Sequence, residues 1–207
     1  VSGATILMYH AVTNPENKDW VCPEGSISAN LFEQHIRFLA KRRTIISLSD
    51  LVSMVREGAS PSAGTVVITF DDGYLDTLTV AGPILKKYGA CASVFVVSDW
   101  IGGKAPWIDI LYSGIKNRRT SVLKLREKIF PVATKTDSQS AFRHLSNEMM
   151  DLPGNDREQL LDDIIDQLKP QALPPRMLMN WEEISRWLDL GSTFEVGIHT
   201  RTHTDMT

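Results

Sequence analysis

An uninterrupted apolar run that ends on two adjacent acidic residues constrains the fold of this chain more than any other feature. Residues 65–70 are apolar or β-branched without alternation, and Asp71, Asp72 and Gly73 follow at once. A strand that is apolar on both faces predicts a parallel sheet with helices on each side. Acidic residues at its end predict that the carboxyl edge of this sheet carries the functional groups.

Strand and helix patterns alternate around this run. The other predicted strands are short apolar segments at residues 5–8, 44–48, 92–97 and 194–198. Helical patterns lie between them, with Ser28 and Ser49 as predicted N-caps and Pro83 as a predicted local kink or first-turn residue. The alternation predicts an α/β fold with a parallel sheet, and it favours a barrel over an open sheet.

The alternation stops from about residue 98 to about residue 179. Amphipathic helices are predicted there at residues 108–116, 141–150 and 157–168, and no strand is indicated. We expect one helical insertion on the catalytic face, where loops of such folds carry function. Five predicted strands are fewer than the eight of a closed barrel. The chain is therefore expected to be a single domain over residues 1–207 that is incomplete at its C-terminus or is completed by another chain.

Composition narrows the classes of function. The 207 residues are 43% hydrophobic, which suits one sizeable core. The formal net charge is −3 and the basic residues are scattered, which argues against nucleic acid as a partner. The apolar runs are too short to cross a bilayer, so no transmembrane segment is expected. No leader pattern precedes the first strand, and the sequence leaves the compartment and the oligomeric state open.

Two adjacent carboxylates at the end of a buried strand are unfavourable, because they repel each other and burial penalises their charge. A bound cation relieves this, and Asp71 and Asp72 point to different sides of the backbone. One can therefore hold a metal while the other faces the reacting group. Gly73 permits a sharp turn and the close approach of a ligand. The same tripeptide is equally typical of a helix-capping turn. A phosphoryl-transfer site is a third hypothesis, although no glycine-rich phosphate loop supports it.

Two histidines follow the last predicted strand. His199 and His203 are four residues apart, a spacing that can bring two imidazoles to one metal but is a weak signal alone. Strand ends share one edge of a parallel sheet, so Asp72 is expected beside them, which predicts a site for zinc or a similar divalent ion. His10, at the end of the first strand, either lines this site or is a hydrogen-bonded histidine at the edge of the core. Tyr74 is expected to touch substrate.

Two motifs resemble the first two motifs of the NodB-type polysaccharide deacetylases, a carbohydrate esterase family 4-like group. They are TFDDG at residues 69–73 and HTRTH at residues 199–203. Residues 7–10, 92–97 and 180–183 are also similar to stretches of that family. The resemblance implies a distorted (β/α) barrel and a metal-dependent hydrolase that removes N- or O-acetyl groups from a carbohydrate or polysaccharide. It also favours the bacterial cell envelope or secretion as the location.

The same resemblance implies roles for single residues. Asp71 is similar to the general base, while Asp72, His199 and His203 are similar to the ligands of a divalent metal, with zinc expected first. Thr200 is similar to the residue that braces the histidine loop. The later motifs of the family supply an arginine that orients the base, an aromatic groove wall and a general-acid histidine, and none of these can be matched. This chain alone is therefore expected to be a poor catalyst.

Two other functions stay open. The chain could be a catalytically inactive relative, or a fragment, that binds a glycan or a partner protein through the same groove. The complete set of a base and three ligands argues against this, because a binding module needs no base beside a metal. The second alternative is a metal hydrolase that acts on an amide outside carbohydrates.

Overall fold

The computed structural model describes residues 3–103 and 105–204, so Val1 and Thr207, the bounds of the predicted domain, lie outside it. In chain order its first elements are strands β1 (Ala4–Tyr9), β2 (Ala11–Thr13) and β3 (Ser26–Ser28), helix α1 (Ala29–Arg42), strand β4 (Thr44–Ile45), helix α2 (Leu48–Arg56), strand β5 (Thr65–Phe70), helix α3 (Gly82–Lys87) and strand β6 (Ser93–Val96). The remaining elements are helix α4 (Trp107–Lys116), strands β7 (Val122–Leu125) and β8 (Lys128–Pro131), helices α5 (Lys135–Met150), α6 (Gly154–Leu168) and α7 (Trp181–Leu188), and strand β9 (Glu195–Ile198). Within these ranges, every helix is too short or too polar to cross a membrane.

Five strands form one parallel sheet. β1 pairs with β5 along its whole length, from Ala4 opposite Thr65 to Tyr9 opposite Phe70. The other edge of β5 pairs with β4 at its start and with β6 at its end, and β9 pairs with β6. Because all these pairs are parallel, the carboxyl ends of the strands lie together at one edge of the sheet. The residues that follow the strands therefore meet there.

The predicted α/β fold is confirmed, as a distorted barrel that stays open within the described residues. The sheet runs from β1 at one end to β9 at the other. Ile6 and Met8 of β1 point away from the covering helices and are 53% and 60% exposed. They lie on the face that forms the interior of a closed barrel, where apolar side chains are normally buried. The exposure of these two side chains agrees with the prediction that five strands leave the barrel incomplete.

β5 is the centre of the core, as its apolar run predicts. All six of its residues are buried. Ile68 and Phe70 pack against the covering helices, and Phe70 makes aromatic contacts with Phe32 of α1 and Trp187 of α7. Burial of each such side chain contributes about 1.5–3 kcal/mol. This packing holds the end of β5, and so the acidic pair behind it, in a fixed position.

The predicted helix starts are right at α1 and wrong at α2. The side chain of Ser28 accepts a hydrogen bond from the N–H of Leu31 and caps α1 as predicted. α2 is capped by Ser47, which accepts from the N–H of Asp50, and not by Ser49. The reason is that β4 ends early, at Ile45, so the extended residue that can serve as a cap comes two positions sooner.

The segment that follows the acidic pair is helical, with a change of helix type. A π-helical turn covers Thr77–Ala81, and α3 follows from Gly82 with Pro83 in its first turn. Proline lacks the N–H that an α-helical bond requires and its ring crowds the preceding turn, so the turn before it widens. Of the two predictions for Pro83, the position in the first turn of a helix is confirmed.

The prediction of a purely helical insertion is wrong in part. Helices α4, α5 and α6 are present, but β7 and β8 form an antiparallel hairpin between α4 and α5. The helices and the hairpin share a core of their own around Leu111, Leu123, Leu145, Met149 and Ile164. The hairpin was not predicted for two reasons. Its strands have only four residues each, and its two-residue turn, Arg126 and Glu127, contains no glycine, asparagine or aspartate.

The far boundary of the predicted insertion is also displaced. The N–H of Leu75 donates to the carbonyl of Met177 over 2.7 Å, and the N–H of Met179 donates to the carbonyl of Gly73 over 3.0 Å. The segment just before α7 therefore pairs with the turn behind β5 and belongs to the main body. The assignment of the whole chain to one domain stays a prediction.

Candidate metal centre

The carboxyl edge of the sheet positions the residues of the candidate site. Asp71 follows β5, and its N–H donates to the carbonyl of Tyr9 at the end of β1 over 2.9 Å. His199 follows β9, and its N–H donates to the carbonyl of Val96 at the end of β6 over 2.8 Å. The hydrogen bonding of the parallel sheet thus continues one residue beyond the end of β5 and one residue beyond the end of β9. This fixes the backbone from which Asp72 and His203 extend.

Asp72, His199 and His203 converge on one point. Oδ1 of Asp72 lies 3.8 Å from Nε2 of His199 and 3.4 Å from Nε2 of His203. The ligand atoms of the three residues all lie within 4.8 Å of one another. Atoms that bind zinc tetrahedrally at about 2.0–2.1 Å are themselves roughly 3.3–3.5 Å apart. The spacing is therefore close to that of three ligands around one divalent cation.

Unpaired polar atoms in this group fit a cation better than they fit a hydrogen-bonded cluster. Oδ1 of Asp72 and Nδ1 of His203 are both buried and have no hydrogen-bond partner among the described residues, 3–103 and 105–204. Native proteins leave few buried polar atoms unpaired, because each costs about 1–3 kcal/mol. A cation would satisfy Oδ1 of Asp72 directly. The donor set, one carboxylate and two imidazoles, suits zinc and similar metals.

The pKa values of Asp72 and His203 in the absence of a cation also favour a divalent cation at this site. Burial above all, and then the charges of Asp71 and Asp109, raises the pKa of Asp72 to about 7. Burial, helped by His199, Arg157 and other neighbours, lowers the pKa of His203 to about 4. Near neutral pH the site thus holds a neutral imidazole and a carboxyl that readily keeps a proton. A divalent cation would displace that proton and stabilise the carboxylate.

The backbone around the ligands is strained. Asp72, Thr200 and His203 have φ angles of 72°, 60° and 57°, the left-handed region that favours glycine. Such residues persist where the surrounding structure holds them, and they concentrate at functional sites. Oγ1 of Thr200 accepts a hydrogen bond from the N–H of Thr204 over 3.2 Å, so its side chain closes the histidine loop.

Gly73 and His10 also lie at this site. A methyl group on Gly73 would lie 2.9 Å from Cγ1 of Val96, and the residue has a φ of 80°. Only glycine fits there without strain. His10 is partly buried; burial lowers its pKa, the charge of Asp71 raises it and His199 lowers it. His10 directly follows Tyr9, whose carbonyl accepts from the N–H of Asp71, so its backbone lies beside the acidic pair.

Tyr74 does not face the site, which corrects the expectation that it touches substrate. It is 3% exposed, and its hydroxyl donates to Oδ2 of Asp109 over 2.7 Å. Oδ1 of Asp109 accepts from the N–H of Cys22 over 2.7 Å. The side chain turns inwards because burial of its ring is favourable and Asp109 satisfies its hydroxyl. Asp109, on helix α4, is a member of this network that sequence reasoning missed.

Two more residues at the site were missed. Trp100 stacks on His203, with ring centroids 5.1 Å apart and planes at 28°. Arg157 of α6 donates to the carbonyl of His203 over 3.2 Å. Neither has a motif around it, and both come close to His203 only through the fold. A tryptophan or arginine in an amphipathic segment gives no signal of its own.

Comparisons with known proteins place the chain in a family. The family model described as polysaccharide deacetylase matches residues 58–207. YxkH of Bacillus subtilis (strain 168), which is named as a polysaccharide deacetylase, is 33% identical over 100 residues, which are 48% of this chain and 33% of that protein. The chain thus matches about a third of the length of this curated relative.

Solved structures are similar over part of their length. IcaB from Ammonifex degensii is 24% identical, with a TM-score of 0.44 over 54% of this chain and 48% of its own. The Streptococcus pyogenes deacetylase PplD, in complex with acetate, is 22% identical, with a TM-score of 0.39 over 53% of this chain and 50% of its own. The family model covers well over half of the chain and includes both motifs of the site. The chain belongs to the polysaccharide deacetylase family.

Proposed function

We propose that the complete protein is a metal-dependent hydrolase that removes N- or O-acetyl groups from a carbohydrate or polysaccharide. Asp72, His199 and His203 hold a divalent cation in this proposal, and Asp71 acts as the general base. Zinc is the first candidate because it accepts one carboxylate oxygen and two imidazole nitrogens and leaves a position open for chemistry.

One observation carries the proposal. Oδ1 of Asp72 is buried, has no hydrogen-bond partner within the part of the chain that the structure describes, and faces Nε2 of both His199 and His203. A helix-capping turn, the simplest alternative for the acidic pair, does not account for this, because a cap would direct the carboxylate to backbone N–H groups. The family membership of the chain supports the deacetylase chemistry.

The residues of the chain suit hydrolysis of an acetyl group. A bound divalent cation would supply a Lewis acid for the acetyl carbonyl and would lower the pKa of water. Asp71 is partly exposed beside the buried Asp72. A carboxylate oxygen of Asp71 can therefore take a proton from the water that attacks the acetyl carbon. The tetrahedral adduct then collapses: the bond from the acetyl carbon to the sugar nitrogen or oxygen breaks, that atom receives the proton held by Asp71, and acetate leaves.

Metal content and affinity of the purified chain test the ligand set. Elemental analysis and calorimetry are expected to show close to one zinc per chain, lost in His199→Ala. His144→Ala is the matched control, because His144 lies exposed on α5, outside the site. Equal zinc binding by His199→Ala and the unmutated chain would contradict the assignment of the ligands.

The role of Asp71 is tested with the complete protein. Asp71→Asn is expected to keep the metal but to release acetate from acetylated oligosaccharides about 10²–10⁴ times more slowly, the usual contribution of a general base. Unchanged acetate release would rule out Asp71 as the base. If the unmutated protein binds metal but releases no acetate from any acetylated glycan, the result would instead favour an inactive relative that binds glycan.

A further inference from the structure

The insertion contacts the candidate metal centre through one buried arginine. Arg157 lies near the start of α6 and is 2% exposed. Its Nη1 donates to the carbonyl of His203 over 3.2 Å, and its Nη2 donates to the carbonyl of Leu152 over 3.0 Å. The guanidinium therefore joins the turn between α5 and α6 to the backbone of a predicted metal ligand.

The surroundings of Arg157 fix its orientation. Its guanidinium lies over the ring of Trp107, 5.2 Å from the centroid. Trp107 belongs to the core of the insertion and is 6% exposed. Burial of a charged group is expensive unless hydrogen bonds and favourable contacts compensate for it. Two carbonyls and an aromatic face provide part of this compensation, and Nε has no hydrogen-bond partner among the described residues. The planar guanidinium is the side chain that can use both kinds of contact.

The backbone of His203 needs support from outside its own loop. Its φ of 57° lies in the strained left-handed region. On one side the loop is held by the turn after β6, because the N–H of Asp99 donates to the carbonyl of Arg201 over 3.0 Å and Trp100 stacks on the imidazole of His203. Arg157 provides a further contact by its bond to the carbonyl of His203.

Close packing between α6 and the loop reinforces this contact. A methyl group on Gly154, the first residue of α6, would lie 3.2 Å from Cβ of Thr202. The first turn of the helix thus lies directly against the segment between the two histidines. The insertion, which has a hydrophobic core of its own, is therefore also a wall of the candidate metal site.

We propose that Arg157 is a positioning residue, which holds the backbone of His203 in the conformation that directs its imidazole towards Asp72. This inference rests on the proposed function for the identity of what His203 binds. The geometric claim, that the histidine loop depends on Arg157, holds with or without a metal.

Hydrogen exchange in the metal-free chain tests the geometric claim. Arg157→Met is expected to speed amide exchange in residues 199–204 at least tenfold, and Arg157→Lys, which keeps one donor, is expected to lie between it and the unmutated chain. Arg143→Met is the matched control, because Arg143 is exposed on α5. Unchanged exchange in the loop, or an equal increase across the whole insertion, would overturn the proposal.

Zinc affinity provides the second measurement. Arg157→Met is expected to weaken zinc binding about 10–100-fold, the usual effect when a group that orients a ligand is lost. Equal affinity of Arg157→Met and the unmutated chain would also overturn the role of Arg157. Absence of zinc binding by the unmutated chain contradicts the proposed function instead, and the exchange experiment still decides about Arg157. If Arg157→Met does not fold, Arg157→Lys gives both measurements, with the same outcomes in each direction.

Discussion

The hydroxyl of Tyr74 donates a hydrogen bond to Oδ2 of Asp109 over 2.7 Å, and this bond joins the turn behind the central strand to a helix of the insertion. Asp109 is fully buried, and its other oxygen accepts from the N–H of Cys22. Both oxygens are thus satisfied. Burial, opposed by these two hydrogen bonds, raises the pKa of the Asp109 carboxyl to about 6.

Asp109→Ala is expected to lower the free energy of unfolding by about 2–4 kcal/mol, because it leaves a buried hydroxyl and a buried N–H unpaired. Asp109→Asn is expected to cost less, about 1–2 kcal/mol, since its oxygen can still accept from Cys22 and its amide can donate to the oxygen of the Tyr74 hydroxyl, whose own proton is left without an acceptor. Urea unfolding measures both. The control is Asp162→Ala, which removes an exposed carboxylate on α6. Equal losses in Asp109→Ala and Asp109→Asn would contradict this account.

Metal affinity is expected to depend on pH through Asp72. Its pKa is raised to about 7, chiefly by burial. A cation must displace the proton, so zinc affinity should rise at least tenfold per pH unit up to about pH 7, with a smaller dependence above it. Calorimetric titrations at pH 5, 6, 7 and 8 measure this. Asp72→Asn should bind zinc weakly, and its zinc affinity should lack the part of the pH dependence that Asp72 contributes. The same pH dependence of zinc affinity in this variant would exclude Asp72 as the cause.

The raised pKa of Asp72 also determines how the stability of the metal-free chain changes with pH. In the metal-free chain the pKa of Asp72 is higher than in the unfolded state, so its contribution to stability is complete below about pH 4 and is lost as the pH rises through 7. Zinc is therefore expected to raise the Tm more at pH 8 than at pH 5. Thermal unfolding with and without zinc measures the difference, and a larger shift at pH 5 would reverse the expected sign.

Gly73→Ala is expected to destabilise the chain by about 2–5 kcal/mol. The added methyl group would lie 2.9 Å from Val96, and the backbone is in the left-handed region. Gly89 also has a positive φ, of 63°, but a methyl group there would meet no atom within 4 Å. Gly89→Ala should therefore cost only about 1–2 kcal/mol. Urea unfolding of the two variants separates the cost of the steric contact from the cost of the backbone strain. Equal losses in free energy of unfolding would show that the side chain of Val96 moves aside without cost.

Arg126→Gly is expected to stabilise the hairpin of the insertion by about 0.5–1 kcal/mol. Arg126 is the first of the two turn residues and has a φ of 52°, which glycine adopts without strain. Glu127→Gly is the control, because the φ of Glu127 is not positive. It should give no gain. Thermal unfolding compares the two, and a loss of stability in Arg126→Gly would show that its side chain contributes more than the turn conformation costs.

The sequence predicts those parts of the structure in which local pattern and global packing agree. β5 was predicted at its observed ends because a six-residue run that is apolar on both faces suits the centre of a parallel sheet. Asp72, His199 and His203 could be grouped before any coordinates, because strand ends of a parallel sheet share one edge. Their distances confirm that they lie together; their function as ligands stays a prediction.

The features that were missed depend on contacts between distant parts of the chain. Asp109 meets Tyr74, and Arg157 meets His203, through packing of the insertion, and neither pair has a characteristic spacing. The hairpin was missed for a different reason. Its turn uses a non-glycine residue at positive φ, and only Leu123 of strand β7 is fully buried, so neither turn composition nor alternation gives a signal.

The left-handed backbone at Asp72, Thr200 and His203 has a consequence for protein engineering. Calculations that optimise folding energy alone would favour glycine or asparagine at all three positions, because these residues tolerate the conformation best. Such a redesigned chain would gain thermal stability and would lose both a carboxylate and an imidazole from the sheet edge. A redesign that is meant to keep the proposed metal centre must therefore leave these three residues unchanged and seek stability elsewhere in the molecule.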